Sequence, residues 1–151
     1  MSYVERSLDR GERIIYRTKQ HSVVFFWPLL FIPFAASAFF TGRNDVGEIL
    51  LGLPVALEIF GFFQRYFSDF AVTNRRVVGK SFGYSVFHRP AVMLVELRAV
   101  EFKPGVLNVL FDYGRVIAVD IRGERHEFYN VPGEFYRQIQ TRVARIERIL
   151  Q

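Results

Sequence analysis

Side chains capable of acid–base, nucleophilic or metal chemistry are few in this sequence. Its 151 residues include three histidines and no cysteine. Without a thiol, disulfides, thiolate catalysis and Cys-ligated zinc or iron–sulfur centres are excluded. His21, His88 and His126 are widely separated. His126 is flanked by Glu124 and Glu127, but along a strand Glu127 points to the opposite face. No nucleophile motif, phosphate-cradling glycine loop or metal-ligand spacing appears. The residues therefore nominate no catalytic group, no metal ligand and no cofactor site. The expectation is a non-enzyme with structural histidines.

Charge offers more. The formal net charge is +5. Arg75, Arg76 and Lys80 cluster just after a long apolar region. Basic side chains beside an anionic leaflet are attracted by roughly 1 kcal/mol each. These three are the candidate contacts to a membrane surface or an anionic headgroup; a plainer role is to orient the domain and enforce topology. A second basic group, Arg137, Arg142, Arg145 and Arg148, lies opposite the apolar stripe of a C-terminal helix. It reads as a solvated face or a docking face. Arg142 and Arg145, with the aromatic residues Phe82 and Tyr84 on a glycine-flanked loop, are the candidate partner contacts. Acidic residues are interleaved with the basic ones and no recognition motif is present, so nucleic acid is not an expected partner.

The elements that must position these groups fall into three regions. Residues 1–21 are polar, with alternating acids and arginines, and read as a cytoplasmic surface arm ending in a small extended or helical piece. From Ser22 to Gly42 there is no charged residue. About 20 such residues span a bilayer as a helix. The predicted spans are 22–41 and 46–64, joined by a short turn, which makes residues 22–64 an antiparallel transmembrane hairpin. Pro28 and Pro33 are tolerable in such a helix where neighbours re-satisfy the freed carbonyls. The long polar lead and the second apolar run argue against a cleaved signal peptide. Basic residues before Ser22 and after Gln64 place both termini in the cytoplasm. Glu58 lies within the second span; one ionisable group makes no ion pathway, and helix pairing is its expected role.

Residues 65–151 read as a β domain with one helix. Phe70 and Val72 alternate as in a half-buried strand. Thr73 and Asn74 are expected to turn it, with Asn74 in the left-handed region, and Val77 and Val78 return. Pro90 predicts an edge or a bulge. Leu94 to Phe102 alternates imperfectly and predicts a strand with an irregularity. Val116 to Arg122 and Arg125 to Val131 are strands. Phe135, Ile139, Val143, Ile146 and Leu150 recur at helical spacing, so the last element is an amphipathic helix covering the sheet.

Three pieces of this order resemble the bacterial pleckstrin-homology-like (bPH) membrane proteins. They are Leu8–Arg17 with its Gly11-Glu12 pair and His21, then Phe70–Val78, then Tyr113–Val116 followed by Phe128–Pro132 and Phe135-Tyr136. The strand around Leu94 to Phe102 is looser than that family's pattern. The resemblance implies an α+β membrane protein in which a two-helix hairpin precedes a bent, partly open antiparallel barrel of about seven strands, capped by a C-terminal helix. It implies little chemistry, because such domains are adaptors. The functional expectation is a non-catalytic accessory or scaffold protein of the bacterial inner membrane. Its partners would be membrane lipids and either a protein or further copies of itself. The alternative is binding of anionic lipid headgroups.

Overall fold

The structure, a computed structural model, describes residues 3–82 and 89–150. Seven strands form two antiparallel sheets. The first has the order β1 (Ile14–Thr18), β2 (Asp69–Thr73), β3 (Arg76–Lys80) and β4 (Ala91–Met93). The second has the order β5 (Leu97–Pro104), β6 (Tyr113–Asp120) and β7 (Arg125–Pro132). Helix α6 (Gly133–Leu150) closes the space between them. The α+β class and helix-capped strand order agree with expectation.

The core lies where alternation put it. Phe70, Val72 and Val77 from the first sheet meet Val116, Ala118 and Phe128 from the second, and Phe135 and Ile139 of α6 seal them. Phe70, Phe128 and Phe135 form a ring cluster with centroids 5.4–6.2 Å apart. Gly79 sits where that cluster passes closest: a Cβ there would lie 2.6 Å from Phe70.

β2 is buried along its whole length. Its inward residues face the core, and its outward Ala71, paired with Val78 of β3, is covered by Val4 of α1 (Tyr3–Ser7). The segment expected to be a surface arm outside the domain thus supplies both a strand and a cover. Its pairing explains the turn at Thr73. Asn74 is not among the described residues with positive φ, contrary to expectation. Its side-chain Oδ1 instead accepts the Arg13 amide at 2.9 Å, and its own amide donates to the Arg13 carbonyl. The Thr73 hydroxyl closes the turn by accepting from the amides of Arg75 and Arg76.

The irregularity expected near Leu94 is a short 3-10 turn at Leu94–Glu96, then a register shift between Leu97 and Ala99. β4, after Pro90, is an edge strand as predicted. β6 ends before Ile121 and Arg122, which were expected to continue it. The Asp120 carboxylate accepts from the amides of Arg122 and Glu124 and so folds the chain into a turn.

The apolar region departs from two continuous helices. Residues 22–41 form a 3-10 turn at Ser22–Phe25, then α2 (Phe26–Leu29) and α3 (Ile32–Phe40). Pro28 and Pro33 lack the amides that would continue the ladder, and the helix breaks around them. α4 (Asn44–Phe67) is one helix despite Pro54. Among the described residues it is the one helix long and apolar enough to cross a membrane. At 1.5 Å per residue it is about 36 Å long. α3 runs back along it, with Phe39 packed on Gly47 so closely that a Cβ would lie 2.9 Å away.

Candidate functional site

Where α4 ends, the chain enters β2 through Ser68. The Ser68 hydroxyl accepts the Gln20 amide at 2.8 Å and donates to the Arg65 carbonyl at 2.9 Å. Arg65 donates back to the Gln20 carbonyl at 3.3 Å and to the Ser22 hydroxyl. These bonds pin the end of the N-terminal arm to the last turn of the apolar helix. Beside them opens a cleft of about 370 Å³.

Four cations line this cleft, Arg6, Arg17, Lys19 and Lys80, against one carboxylate, Asp69. Its aromatic walls are Tyr3, Tyr66 and Phe67. The Lys19 ammonium lies 5.6 Å from the Tyr66 ring, and that of Lys80 lies 5.9 Å from both Tyr3 and Phe67. Rings attract these ammonium groups by their quadrupoles. Arg17 is differently engaged. Its Nε donates to buried Asp69 at 2.8 Å and its Nη1 to Glu5 at 3.1 Å. The hydrogen bond to Asp69 raises the Arg17 pKa, more than burial lowers it. A smaller adjoining cleft of about 190 Å³ runs from Lys19 to Phe62 and Arg65, down the side of the helix. The cleft thus gathers four cations, one carboxylate and three aromatic rings at the end of an apolar helix.

The three basic residues singled out from sequence do not act together. Only Lys80 reaches the cleft. Arg76 is half-buried at the other end of β3, where it donates to both oxygens of buried Glu12 at 3.0 and 2.9 Å. Asp9 lies 3.5 Å from the same guanidinium. Glu12 also accepts from the Thr73 hydroxyl at 2.6 Å and the Asp9 amide at 2.9 Å. Burial pushes the Glu12 pKa up, but the bonds from Arg76, Asp9 and Thr73 outweigh it and hold the carboxyl below its usual value. The expected anion contact at Arg76 is therefore an internal ion pair. Arg75 is exposed on the turn. Lys19, Arg17 and Arg6, which complete the cleft, were not singled out. A usable signal was present: Arg17 and Lys19 are two apart on a short β-branched segment leading into an uncharged run, which sets both on one face.

The other expected contacts divide as follows. Phe82 packs on α4, 6.1 Å from the rings of both Phe60 and Phe67. Tyr84 and His88 lie outside the described residues. Arg142 is half-buried on α6, and its Nε has no hydrogen-bond partner among the described residues. Arg145 is exposed and lines a shallow groove along the outer side of α6. Glu58 is half-buried, with one oxygen shielded and likewise unpartnered among the described residues.

Two of the histidines, His21 and His126, lie among the described residues. His21 Nδ1 accepts the Val23 amide at 3.1 Å and caps the first turn of the hairpin, while its ring stacks on Tyr113 at 5.6 Å. Burial, and then the charge of Arg65, lower its pKa. His126 Nε2 lies 3.8 Å from Asp120, and Glu124 is near enough for the three to share an ion. Asp120 is already occupied as the turn's acceptor.

No family model matches the chain, and no curated protein matches it. Among solved structures the chain is similar to a Vps36 N-terminal PH domain, at 16% sequence identity and a TM-score of 0.44, over 95% of this chain and 85% of that one.

Proposed function

We propose that this chain is a non-catalytic, membrane-anchored PH-like interaction module that takes an anionic lipid headgroup in the cleft at the foot of α4. The observation that carries this is the placement of Arg6, Arg17, Lys19 and Lys80 around the end of the apolar helix. A helix of this length that exposes Ile49, Val55, Ile59 and Phe62 is served by lipid. Only 17% of its apolar window is buried, whereas the core helix of a soluble domain is mostly buried. With α3 folded back along α4, residues 22–64 form the anchor. Both termini then lie on the cytoplasmic side of a bacterial inner membrane, and Glu58 serves helix pairing. Cations at the level where the helix leaves the bilayer meet phosphates of the leaflet.

The test is lipid selectivity of the full chain in phosphatidylcholine vesicles, read with spin-labelled phosphatidic acid against spin-labelled phosphatidylcholine. The wild type should prefer the anionic lipid. Lys19→Ala with Lys80→Ala should lower that preference by about 2 kcal/mol, roughly 30-fold. An unchanged preference would sink the proposal. Inorganic phosphate competing as well as the lipid would reassign the cleft to a soluble anion.

A protein partner, or a second copy, is the other reading. The feature that favours it is the groove between β5 and α6, about 390 Å³ and floored by Leu97, Val100 and Val143. The mass of the particle extracted in mild detergent separates a fixed complex from a monomer.

A further inference from the structure

The connection between β5 and β6 carries apolar side chains where the domain core does not need them. Val106 is 85% exposed, Val109 96% and Leu110 73%. They sit on or beside α5 (Asn108–Phe111), a single turn that is built rather than loose. The Gly105 amide donates to the Tyr113 carbonyl at 3.0 Å, and Asp112, in the left-handed region at φ 44°, donates to the Asn108 carbonyl at 2.9 Å. The Gly133 amide and Arg137 hold Asp112 from α6, at 2.8 and 2.9 Å. A firmly held turn that shows three large apolar side chains to its surroundings marks a contact surface.

Its position identifies the contact. Phe111, the last residue of α5, packs on Phe26 at 5.4 Å and on His21 at 6.3 Å. Phe26 opens the second turn of the hairpin's first limb. Depth along α4 can be read from its neighbours: Arg65 is level with Ser22, whereas Gly61 is level with Val24 and Phe25. Phe26 is thus about one helical turn, roughly 6 Å, farther into the hairpin than the Arg65 level. α5 stands beside the hairpin at that depth. Just above it, Lys103 and Arg115 face each other across β5 and β6; both are exposed, and Arg115 lies over the Tyr129 ring with Glu127 at 3.5 Å. Apolar side chains below and cations above is the order of a segment seated in a bilayer interface.

We infer that the tip formed by Val106, Val109 and Leu110 is a second, non-spanning membrane anchor. It enters the acyl boundary beside the hairpin and holds the β domain at a fixed tilt against the leaflet. This rests on the reading of residues 22–64 as a membrane anchor. The packing of Phe111 on Phe26 and His21 already ties the domain to the hairpin; with the tip inserted, the line from Phe67 to Leu110 becomes the edge on which it stands.

The absence of cysteine allows single labelling sites in the full chain. An environment-sensitive fluorophore is placed at Val109→Cys, at Val55→Cys in the middle of α4, and at Glu124→Cys on the turn at the far end of β6. Each variant is reconstituted in vesicles with and without lipids carrying a nitroxide on the acyl chain. The labels at 109 and 55 should lose most of their emission to the nitroxide, and the label at 124 should keep its own. A quenched label at 55 with one at 109 that behaves like 124 would overturn the inference and leave the hairpin reading standing. Three unquenched labels would remove both.

Discussion

The two ends of the β2–β3 hairpin carry the same kind of charge and do opposite things with it. At the turn, Arg76 is enclosed by Glu12, Asp9 and the Ser7 carbonyl. At the helix end, Lys80 stands over aromatic rings in a cleft that holds three further cations. The two residues are four positions apart on one strand, about 13 Å. What separates them is what the N-terminal arm brings to each. It meets the turn end with Asp9 and Glu12, and the helix end with Arg17 and Lys19 beside one acid, Glu5. Asp69 is the one acid lining the cleft, and Arg17 holds it. A cation's role is thus set by the counter-charge that the fold brings to it.

The largest effect that sharpens this comparison lies at the closed end. Glu12→Gln keeps the shape but leaves half-buried Arg76 without its buried anion, with only the exposed Asp9 at 3.5 Å as counter-charge. Breaking a buried pair costs 3–5 kcal/mol, and the partial exposure of Arg76 discounts that to about 3 kcal/mol. Thermal or urea unfolding of the detergent-solubilised chain at pH 7 measures it; a loss under about 1 kcal/mol would show that the pair is not structural. The pH dependence follows from the depressed Glu12 pKa. The folded state binds its proton later than the unfolded state does. The contribution is complete above the unfolded value, about 4.3, and drains away as pH falls through the lower folded value. Glu12→Gln should therefore flatten the acid limb of the stability profile while lowering its plateau.

The arm's part in this explains what was readable beforehand and what was not. Strands with a strict two-residue period and the α6 stripe of Phe135 and Ile139 carry their partners' chemistry in their own pattern. β1 does not: five residues in a polar arm, none fully buried, become a strand only because β2 offers an edge. Arg76 lies 64 positions from Glu12. No local spacing shows that pairing, so Arg75, Arg76 and Lys80 looked like one patch. Phe82 shows a related effect. Phe82 has the size and exposure in sequence of an anchor, yet the nearest apolar surface is the chain's own α4. The two prolines were legible as residues, but whether they bend or break a helix depends on what satisfies the carbonyls left behind.

The comparison can also be turned around at the open end. Asp69→Asn removes the cleft's one carboxylate while keeping its shape and an acceptor for the Val4 amide, now donated at 3.1 Å. Arg17 is then paired with Glu5 alone, and the cleft gains one net positive charge beside Arg6, Lys19 and Lys80. Anionic-lipid preference should rise by about 1 kcal/mol, roughly fivefold. Stability should fall, because α1 and β1 lose a charged tie to β2. The two shifts have opposite signs, which a general loosening of the fold would not produce. A fall in lipid preference would mean that Asp69 positions the cleft rather than opposing its ligand.

Arg75 sets the lower bound. It follows Asn74 on the exposed turn, next in sequence to Arg76 and five positions from Lys80, about 16 Å along the strand. The Debye length at physiological salt is about 8 Å. A charge on the turn is therefore screened from a leaflet that meets the foot of α4. Arg75→Ala should leave stability within about 0.5 kcal/mol and change lipid preference by less than that. The sharper form varies salt. At about 0.01 M the Debye length grows to about 30 Å, so a small loss of preference should emerge for Arg75→Ala and vanish again at physiological salt. The loss from the Lys19 and Lys80 pair should persist at both, because contact charges are screened far less than distant ones. If Arg75→Ala matched the lysine pair at physiological salt, the turn and not the foot of α4 would face the lipid. The domain would then stand on the opposite end of its first sheet, a pose that the bonds from Ser68 to Gln20 and from Arg65 to Ser22 oppose.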